Sequence, residues 1–293
     1  GAVQLLQQAV AIDPDFASAY AKMGTIQQVS RYDPRIFEAN WKRAISKRER
    51  LTQREQMYIE AYLAATGVLG GVETGAVSGK YPTFITPAGY AFAIWSLIYA
   101  GCAAFGIYQI LPRNIERFRP IRRAYILSCA ANAAWLYFWS QEMMIVCFGV
   151  ILVLLASVGY INVKLQKTET GGEYWLAKFP FGIYFGWVTA ATVLNATISL
   201  VYLGVRISDS NAILIGAGLL LLTAALGVIV RIKLTNYFYP LAIAWALTAI
   251  AVKQSGKTLI VAAAAVGDIA CLIAALSFVM TMPSSENKAE NRA

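Results

Sequence analysis

Long apolar stretches dominate residues 84–282 and constrain the fold more than any other feature of the chain. Each is about the length that crosses some 30 Å of hydrocarbon, although the sixth is short. Backbone groups in lipid must be satisfied within the chain, and the alternation of β-barrel strands is absent, so helices are expected. The sequence therefore predicts an all-α polytopic membrane bundle of about seven spans. The stretches are 84–111, 123–142, 144–163, 179–203, 211–230, 236–252 and 258–282.

Composition divides the chain into two different parts. Charged residues make up 14% of the whole, where a soluble domain carries about 25%, but residues 1–83 hold a large share of them. We therefore predict a soluble helical segment at 1–66, a glycine-rich linker at 67–83, the membrane bundle at 84–282 and a disordered cytoplasmic tail at 283–293.

The N-terminal segment resembles a tetratricopeptide repeat over residues 1–50. Ala2, Leu6, Ala9 and Pro14 fit the second helix of one repeat, and Tyr20 fits the opening helix of the next. Stacked repeats need about three units to bury a continuous core. The segment is therefore either a remnant or part of a longer array, and a role in recruiting a protein partner through residues 1–66 stays open.

Basic residues in the loops predict the orientation of the bundle. Twelve Lys and Arg residues lie on one side of the predicted spans and three on the other, which predicts that the first set and the C-terminus lie in the cytoplasm. The expected membrane is a bacterial inner membrane. With seven spans, residues 1–66 would then lie outside, although no export signal precedes them. We favour the interpretation that the junction near residue 66 joins pieces that do not natively belong together.

Charge and composition also exclude several functions. The net charge is +9, but the basic residues form no stripe with interleaved aromatic residues, so nucleic acid is not an expected partner. The chain has no histidine, which removes Ser-His-Asp and Cys-His catalysis and His-ligated metal sites. We expect no enzyme activity, no catalytic residue and no metal site.

Three predicted spans carry aromatic residues and asparagines on one helical face. Such faces can line a pocket for a flat, largely apolar ligand through stacking and single hydrogen bonds. Helix packing and interfacial aromatic belts explain the same pattern without a ligand, and this alternative stays open. The candidate ligand-binding residues are Trp95, Tyr99, Asn132, Trp135, Tyr184, Trp187 and Asn195.

These motifs resemble the TspO/MBR family, the tryptophan-rich sensory proteins related to the translocator protein. Residues 95–99 read W-x-x-x-Y, 132–135 read N-x-x-W, 184–187 read Y-x-x-W, and 191–195 read A-x-x-L-N. The resemblance covers about residues 84–282. Compared with the usual five-span protein of the family, this chain resembles a long variant with extra spans after residue 205.

The resemblance implies a pocket closed by five helices that binds a tetrapyrrole or a sterol-like lipid. It implies a sensor, receptor or carrier, with a porphyrin or haem-type molecule as a non-covalent ligand and no other cofactor. The expected partners are the lipid bilayer, a flat hydrophobic small molecule and a second copy of the chain.

Asp268 provides the basis for a second functional hypothesis. It lies about ten residues into the last apolar stretch, roughly 15 Å deep at helical rise. An acid inside a membrane is a candidate proton or ion site, so a proton-coupled transporter of a small solute is the alternative. The plainer interpretation is a hydrogen bond to a neighbouring polar side chain.

Overall fold

The computed structural model describes residues 2–29, 39–40, 43–44, 46–47, 49, 74–168 and 170–277. The chain divides into two compact units, residues 1–73 and 74–293. All regular structure in the described residues is helical.

In the described part of the first unit, helix α1 (Ala2–Ile12) packs against helix α2 (Ala17–Val29). Ala17, Tyr20 and Met23 of α2 are buried. A pair of helices with a short turn agrees with the predicted pattern but does not by itself define a tetratricopeptide repeat. That identity stays a prediction.

The second unit is a bundle of helices, and each of the seven predicted apolar stretches coincides with one of them. The helices are α3 (Thr74–Lys80), α4 (Ile94–Tyr108), α5 (Arg119–Ser140), α6 (Met144–Lys164), α7 (Phe179–Tyr202), α8 (Asp209–Leu234), α9 (Phe238–Lys253) and α10 (Thr258–Leu276).

Five helical segments among the described residues are long and apolar enough to cross a membrane: Gly89–Tyr108, Met144–Lys164, Gly171–Tyr202, Asp209–Leu234 and Thr258–Leu276. α5 is not among them although it has 22 residues, and α9 has only 16 residues. The membrane bundle is therefore confirmed, whereas the count of seven spans is not.

Local sequence explains where the longest helix begins and ends. The Ser208 side chain accepts a hydrogen bond from the Asn211 backbone N–H, which caps the start of α8, and Asp209 stands in its positive first turn. Arg231 and Lys233 stand in the last turn, where cations are favoured, and Thr235 ends the helix with a left-handed φ of 49°.

α7 is the central helix of the bundle. It packs against α4, α6, α8 and α9, and 13 of its 24 residues are buried. Gly186 allows the closest of these approaches, because a Cβ there would overlap the carbonyl oxygen of Tyr239 and lie 2.9 Å from the Cβ of Ala242. Small residues permit this approach where lipid offers no hydrophobic driving force between helices.

Part of the predicted linker belongs to the bundle. Residues 74–80 form α3, and the Trp139 indole N–H donates to the Thr74 carbonyl oxygen at 3.1 Å. Residues 67–73 and the predicted tail at 283–293 lie outside the described residues. Residues 74–83 are therefore part of the second unit, although their glycine-rich composition predicted a linker.

Residues 81–88, which we name the cap segment, are tied to α9. The Ala88 N–H donates to the Ala249 carbonyl oxygen at 3.0 Å. The Gln254 amide donates to the carbonyl oxygens of Thr83 and Thr86 at 3.1 and 3.3 Å. An irregular segment needs such partners for its backbone groups, and α9 supplies them.

Glu142 connects the start of the cap segment to the turn between α5 and α6. It pairs with Lys80 and accepts a hydrogen bond from the Tyr81 hydroxyl at 2.8 Å. The Lys80 ammonium, followed by the Tyr81 hydroxyl, holds the pKa of the Glu142 carboxyl below its usual value. Stability from a lowered carboxyl pKa is present above the unfolded-state pKa and is lost as pH falls through the folded-state pKa.

We expect Gly186→Ala to lower the free energy of unfolding by about 1–3 kcal/mol, because the added methyl group meets a backbone atom that cannot move aside. The measurement is unfolding in detergent. Gly218→Ala is the matched control: nothing lies within 4 Å of a Cβ at that position, so stability should stay unchanged or rise by up to about 1 kcal/mol. Equal effects of the two substitutions would contradict the close α7–α9 contact.

We expect Glu142→Gln to lower stability slightly at pH 7, by at most about 1 kcal/mol since the pair is exposed. The difference from wild type should be smaller at pH 3 than at pH 7, because the wild-type carboxyl loses its charge as pH falls towards its lowered pKa. Thermal unfolding at both pH values measures this. Glu116→Gln, which removes a more exposed pair with Arg119, should change nothing; a loss that persists undiminished at low pH would show that charge is not the cause.

Candidate functional site

Trp95 of α4 lies at the centre of an aromatic cluster contributed by three helices. Tyr99 stacks on it with ring centroids 5.5 Å apart, and Trp135 of α5 lies at 5.9 Å. From α7, Tyr184 and Trp187 approach edge to face at 6.0 and 6.3 Å. Such offset and perpendicular arrangements are favourable for aromatic pairs. The Trp95 indole therefore connects α4, α5 and α7.

Two further rings extend this cluster. Phe92 meets Trp187 edge to face at 5.9 Å, and Trp139 stacks on Trp135 at 5.0 Å. The central aromatic cluster is therefore Phe92, Trp95, Tyr99, Trp135, Trp139, Tyr184 and Trp187.

The two asparagines tie the same helices together by hydrogen bonds. Asn132 accepts from the Tyr99 hydroxyl and donates to the Tyr184 hydroxyl, each at 3.1 Å. Asn195 accepts from the Trp135 indole N–H at 3.1 Å and donates to the Ala191 carbonyl oxygen at 2.8 Å. Each buried amide thus has a donor and an acceptor as partners, as a low-dielectric interior requires.

A cavity of about 30 Å³ lies beside the cluster. Four of the seven predicted residues line it, namely Trp95, Trp135, Trp187 and Asn195. The other three, Tyr99, Asn132 and Tyr184, form the hydrogen-bonded chain next to it. The full lining is Ile85, Pro87, Phe92, Trp95, Trp135, Trp139, Trp187, Ala190, Ala191, Leu194, Asn195, Ala246 and Ile250.

Two indole N–H groups at this cavity have no hydrogen-bond partner among the described residues. They belong to Trp95 and Trp187, which are 6% and 3% exposed. A buried donor without a partner costs about 1–3 kcal/mol, so such groups need an explanation. An acceptor atom of a ligand between the two rings would supply one.

The cavity is small in this conformation. Its volume exceeds the roughly 10–15 Å³ that a water molecule needs but is far below the roughly 300 Å³ of a small-molecule pocket. Ile85 and Pro87 of the cap segment cover one side, and Ala246 and Ile250 of α9 form another. In this conformation the walls therefore lie too close together to hold a large flat ring system.

The α9 wall was missed by the sequence analysis. Alanine and isoleucine at apolar helix positions look the same whether they face lipid or a cavity, so no signal marked them. Trp139 and Phe92, by contrast, lie on the faces that carried the predicted residues, and their helical spacing from Trp135 and Trp95 was visible.

Asp268 lies apart from the cavity. It is partly exposed on α10 and accepts a hydrogen bond from the Thr248 hydroxyl of α9 at 3.3 Å. Thr248 is itself exposed, so this pair sits on the outer face of the bundle. The structure thus shows the plainer of the two sequence interpretations, and a proton-transfer role stays a prediction.

The described residues contain no group of three or more acidic, cysteine or histidine side chains that could hold a metal ion. The polar atoms at the cavity are amides and indole N–H groups, which bind by hydrogen bonding.

The fold and site define a helical integral membrane protein with an aromatic cavity inside its bundle. A family model described as TSPO-like protein matches residues 56–279. Because this match covers well over half of the chain, the chain belongs to the TSPO-like family, as the motifs at residues 95–195 predicted. No curated protein and no solved structure matches it.

We expect Asn132→Leu to lower the free energy of unfolding by about 1–3 kcal/mol, because it leaves the buried Tyr184 hydroxyl without a partner. Adding Tyr184→Phe to that variant should recover part of the loss, since the unpaired hydroxyl is then gone. Unfolding of both variants and of Tyr184→Phe alone gives the coupling. Strictly additive losses would show that the Asn132–Tyr184 bond does not contribute.

Proposed function

We propose that the protein is a membrane sensor or carrier that binds a flat, largely apolar ligand in the aromatic cavity. A tetrapyrrole or a sterol-like molecule fits this description. The observation that carries the proposal is the pair of buried indole N–H groups, Trp95 and Trp187, that lack a partner on a cavity walled by aromatic rings.

The geometry of the walls supports a planar ligand. Trp187 stands at 90° to Trp95 and at 89° to Phe92, so the cavity presents ring faces and ring edges at right angles. A planar ring system can stack on one wall while the perpendicular ring edges contact its rim. Its acceptor atoms, such as a carbonyl, a carboxylate or a ring nitrogen, would receive the two N–H groups.

Entry would require opening of the cap segment. Three hydrogen bonds from Ala88 and Gln254 hold this segment to α9, and each contributes about 1 kcal/mol net. Opening therefore costs a few kcal/mol, which a ligand can repay by satisfying two indole donors and covering aromatic surface. A sensor of this kind would report the ligand through the position of the cap segment.

We also propose that α5 and α9 span the membrane together with the five longer apolar segments. Asn132 and Trp135, near the middle of α5, contact residues of α4 and α7, so α5 lies at the same depth as those spans. Ala246 and Ile250 of α9 line the same cavity. Loop charge supports a cytoplasmic C-terminus, and the membrane that we propose is the bacterial inner membrane.

Titration of the purified protein with protoporphyrin IX, followed by the visible spectrum of the ligand, tests the proposal. We expect saturable binding at micromolar concentration and a decrease in affinity of at least about tenfold in Ala191→Leu, because the larger side chain fills the cavity. Ala265→Leu, on the exposed face of α10, is the matched control and should bind like wild type.

Trp187→Phe separates stacking from hydrogen bonding in the same assay, since it keeps an aromatic ring and removes the donor. We expect weaker binding of about fivefold to tenfold. Unchanged binding in both Ala191→Leu and Trp187→Phe would place the ligand elsewhere and overturn the proposal.

The transporter alternative receives no support from the cavity, since Asp268 lies outside it. It predicts that Asp268→Asn abolishes proton-coupled uptake in proteoliposomes, whereas ligand binding in the aromatic cavity should survive the change. Deletion of residues 1–66 tests the partner-recruiting alternative in the same way: capture of a partner would disappear and protoporphyrin binding would remain.

A further inference from the structure

A second concavity lies on the outer face of the bundle, between α5 and α6. It is an open groove of about 750 Å³. None of its lining residues belongs to the aromatic cavity, so what it binds is independent of the function proposed above. Its lining residues lie within 119–127 of α5 and 153–160 of α6.

One end of the groove is strongly basic. Arg119 and Arg123 line it from the first turns of α5. α6 runs antiparallel to α5 and ends at Lys164, whose ammonium lies 5.5 Å from the ring centroid of Tyr160, another lining residue. Two arginines of α5 therefore line this end, and Lys164 of α6 lies beside the Tyr160 ring that also lines it.

Little negative charge opposes these cations. Arg119 contacts Glu116 at 3.3 Å, but both side chains are more than 70% exposed, so this pair is weak and easily exchanged. Arg123 is exposed and makes no hydrogen bond or ion pair with any residue in the described part of the chain. The basic end is thus complementary to an anion that presents several oxygens.

Below the basic end the groove becomes apolar. Leu127 and Val153 are 48% and 46% exposed, and Ala124 and Ala156 form a shallow floor between them. Leu127 lies eight residues from Arg119 and Val153 lies 11 residues from Lys164, which at helical rise is about 12 and 16 Å. The apolar wall thus descends from the membrane surface into the hydrocarbon region along a helix that is long enough to span it.

We propose that this groove is a binding site for one anionic phospholipid. The phosphate group pairs with Arg119 and Arg123, and one acyl chain lies along Ala124, Leu127, Val153 and Ala156. Basic pockets between membrane helices recognise anionic headgroups in this way. A soluble phosphate matches only the basic end, whereas an amphiphile matches the basic end and the apolar wall together.

Native mass spectrometry of the full chain in dodecylmaltoside tests this site, with equal amounts of phosphatidylglycerol and phosphatidylcholine carrying the same acyl chains. Wild type should retain one phosphatidylglycerol in preference to phosphatidylcholine by about tenfold. In Arg119→Gln/Arg123→Gln the preference should disappear. The matched control is Arg206→Gln/Lys253→Gln, which removes two exposed charges outside the groove and should keep the preference.

The apolar wall is tested without changing any charge. Ala156→Phe fills the groove from an exposed position, so it should release the lipid while the protein elutes as wild type does. Ala262→Phe, on the exposed face of α10, should retain it. If the arginine double variant does not elute as wild type, Arg123→Gln alone, which should lower the preference severalfold, replaces it.

Three results would overturn the proposal. The first is an undiminished phosphatidylglycerol preference in the arginine variants. The second is an equal loss in the Arg206→Gln/Lys253→Gln control, which would indicate net charge alone. The third is displacement of the lipid by excess glycerol 3-phosphate, which would indicate a phosphate site without a role for the acyl chain.

Discussion

The rest of the bundle depends on the two hydrogen bonds that the side-chain amide of Asn132 makes. It accepts from Tyr99 of α4 and donates to Tyr184 of α7 while standing on α5. Within a hydrocarbon environment the amide and the two hydroxyl groups cannot form hydrogen bonds with water instead. The three helices can therefore rotate little about their axes without losing a hydrogen bond. In this orientation of the helices, Trp95 contacts four aromatic rings, and the Trp135 indole N–H donates a hydrogen bond to Asn195.

The polar faces were predictable because asparagine and aromatic residues are rare enough in apolar helices that their spacing carries information. Trp187 and Asn195 appear on one face of α7 from the sequence, and the structure places both on the cavity. The α9 wall was not predictable, since Ala246 and Ile250 resemble lipid-facing residues. The place of residues 74–83 in the bundle was hidden too, because their glycine and proline content resembles that of a free linker.

The small volume of the cavity is the main property that the structure adds to the sequence. With a volume of about 30 Å³, the proposed binding of a large ligand requires an opened conformation, and the apparent affinity would then include the cost of opening. The unpaired donors of Trp95 and Trp187 act in the opposite direction, because they destabilise the closed state and favour any ligand that supplies acceptors. Under the proposed function, a balance of this kind would allow a ligand to control the position of the cap segment.

The most direct test of this account is a structure of the protein determined by electron cryo-microscopy with protoporphyrin IX bound. The account predicts ligand density between Trp95 and Trp187, with the cap segment or α9 displaced and the Asn132 bonds to Tyr99 and Tyr184 intact. Ligand density confined to the outer surface, with the cavity still closed, would contradict it.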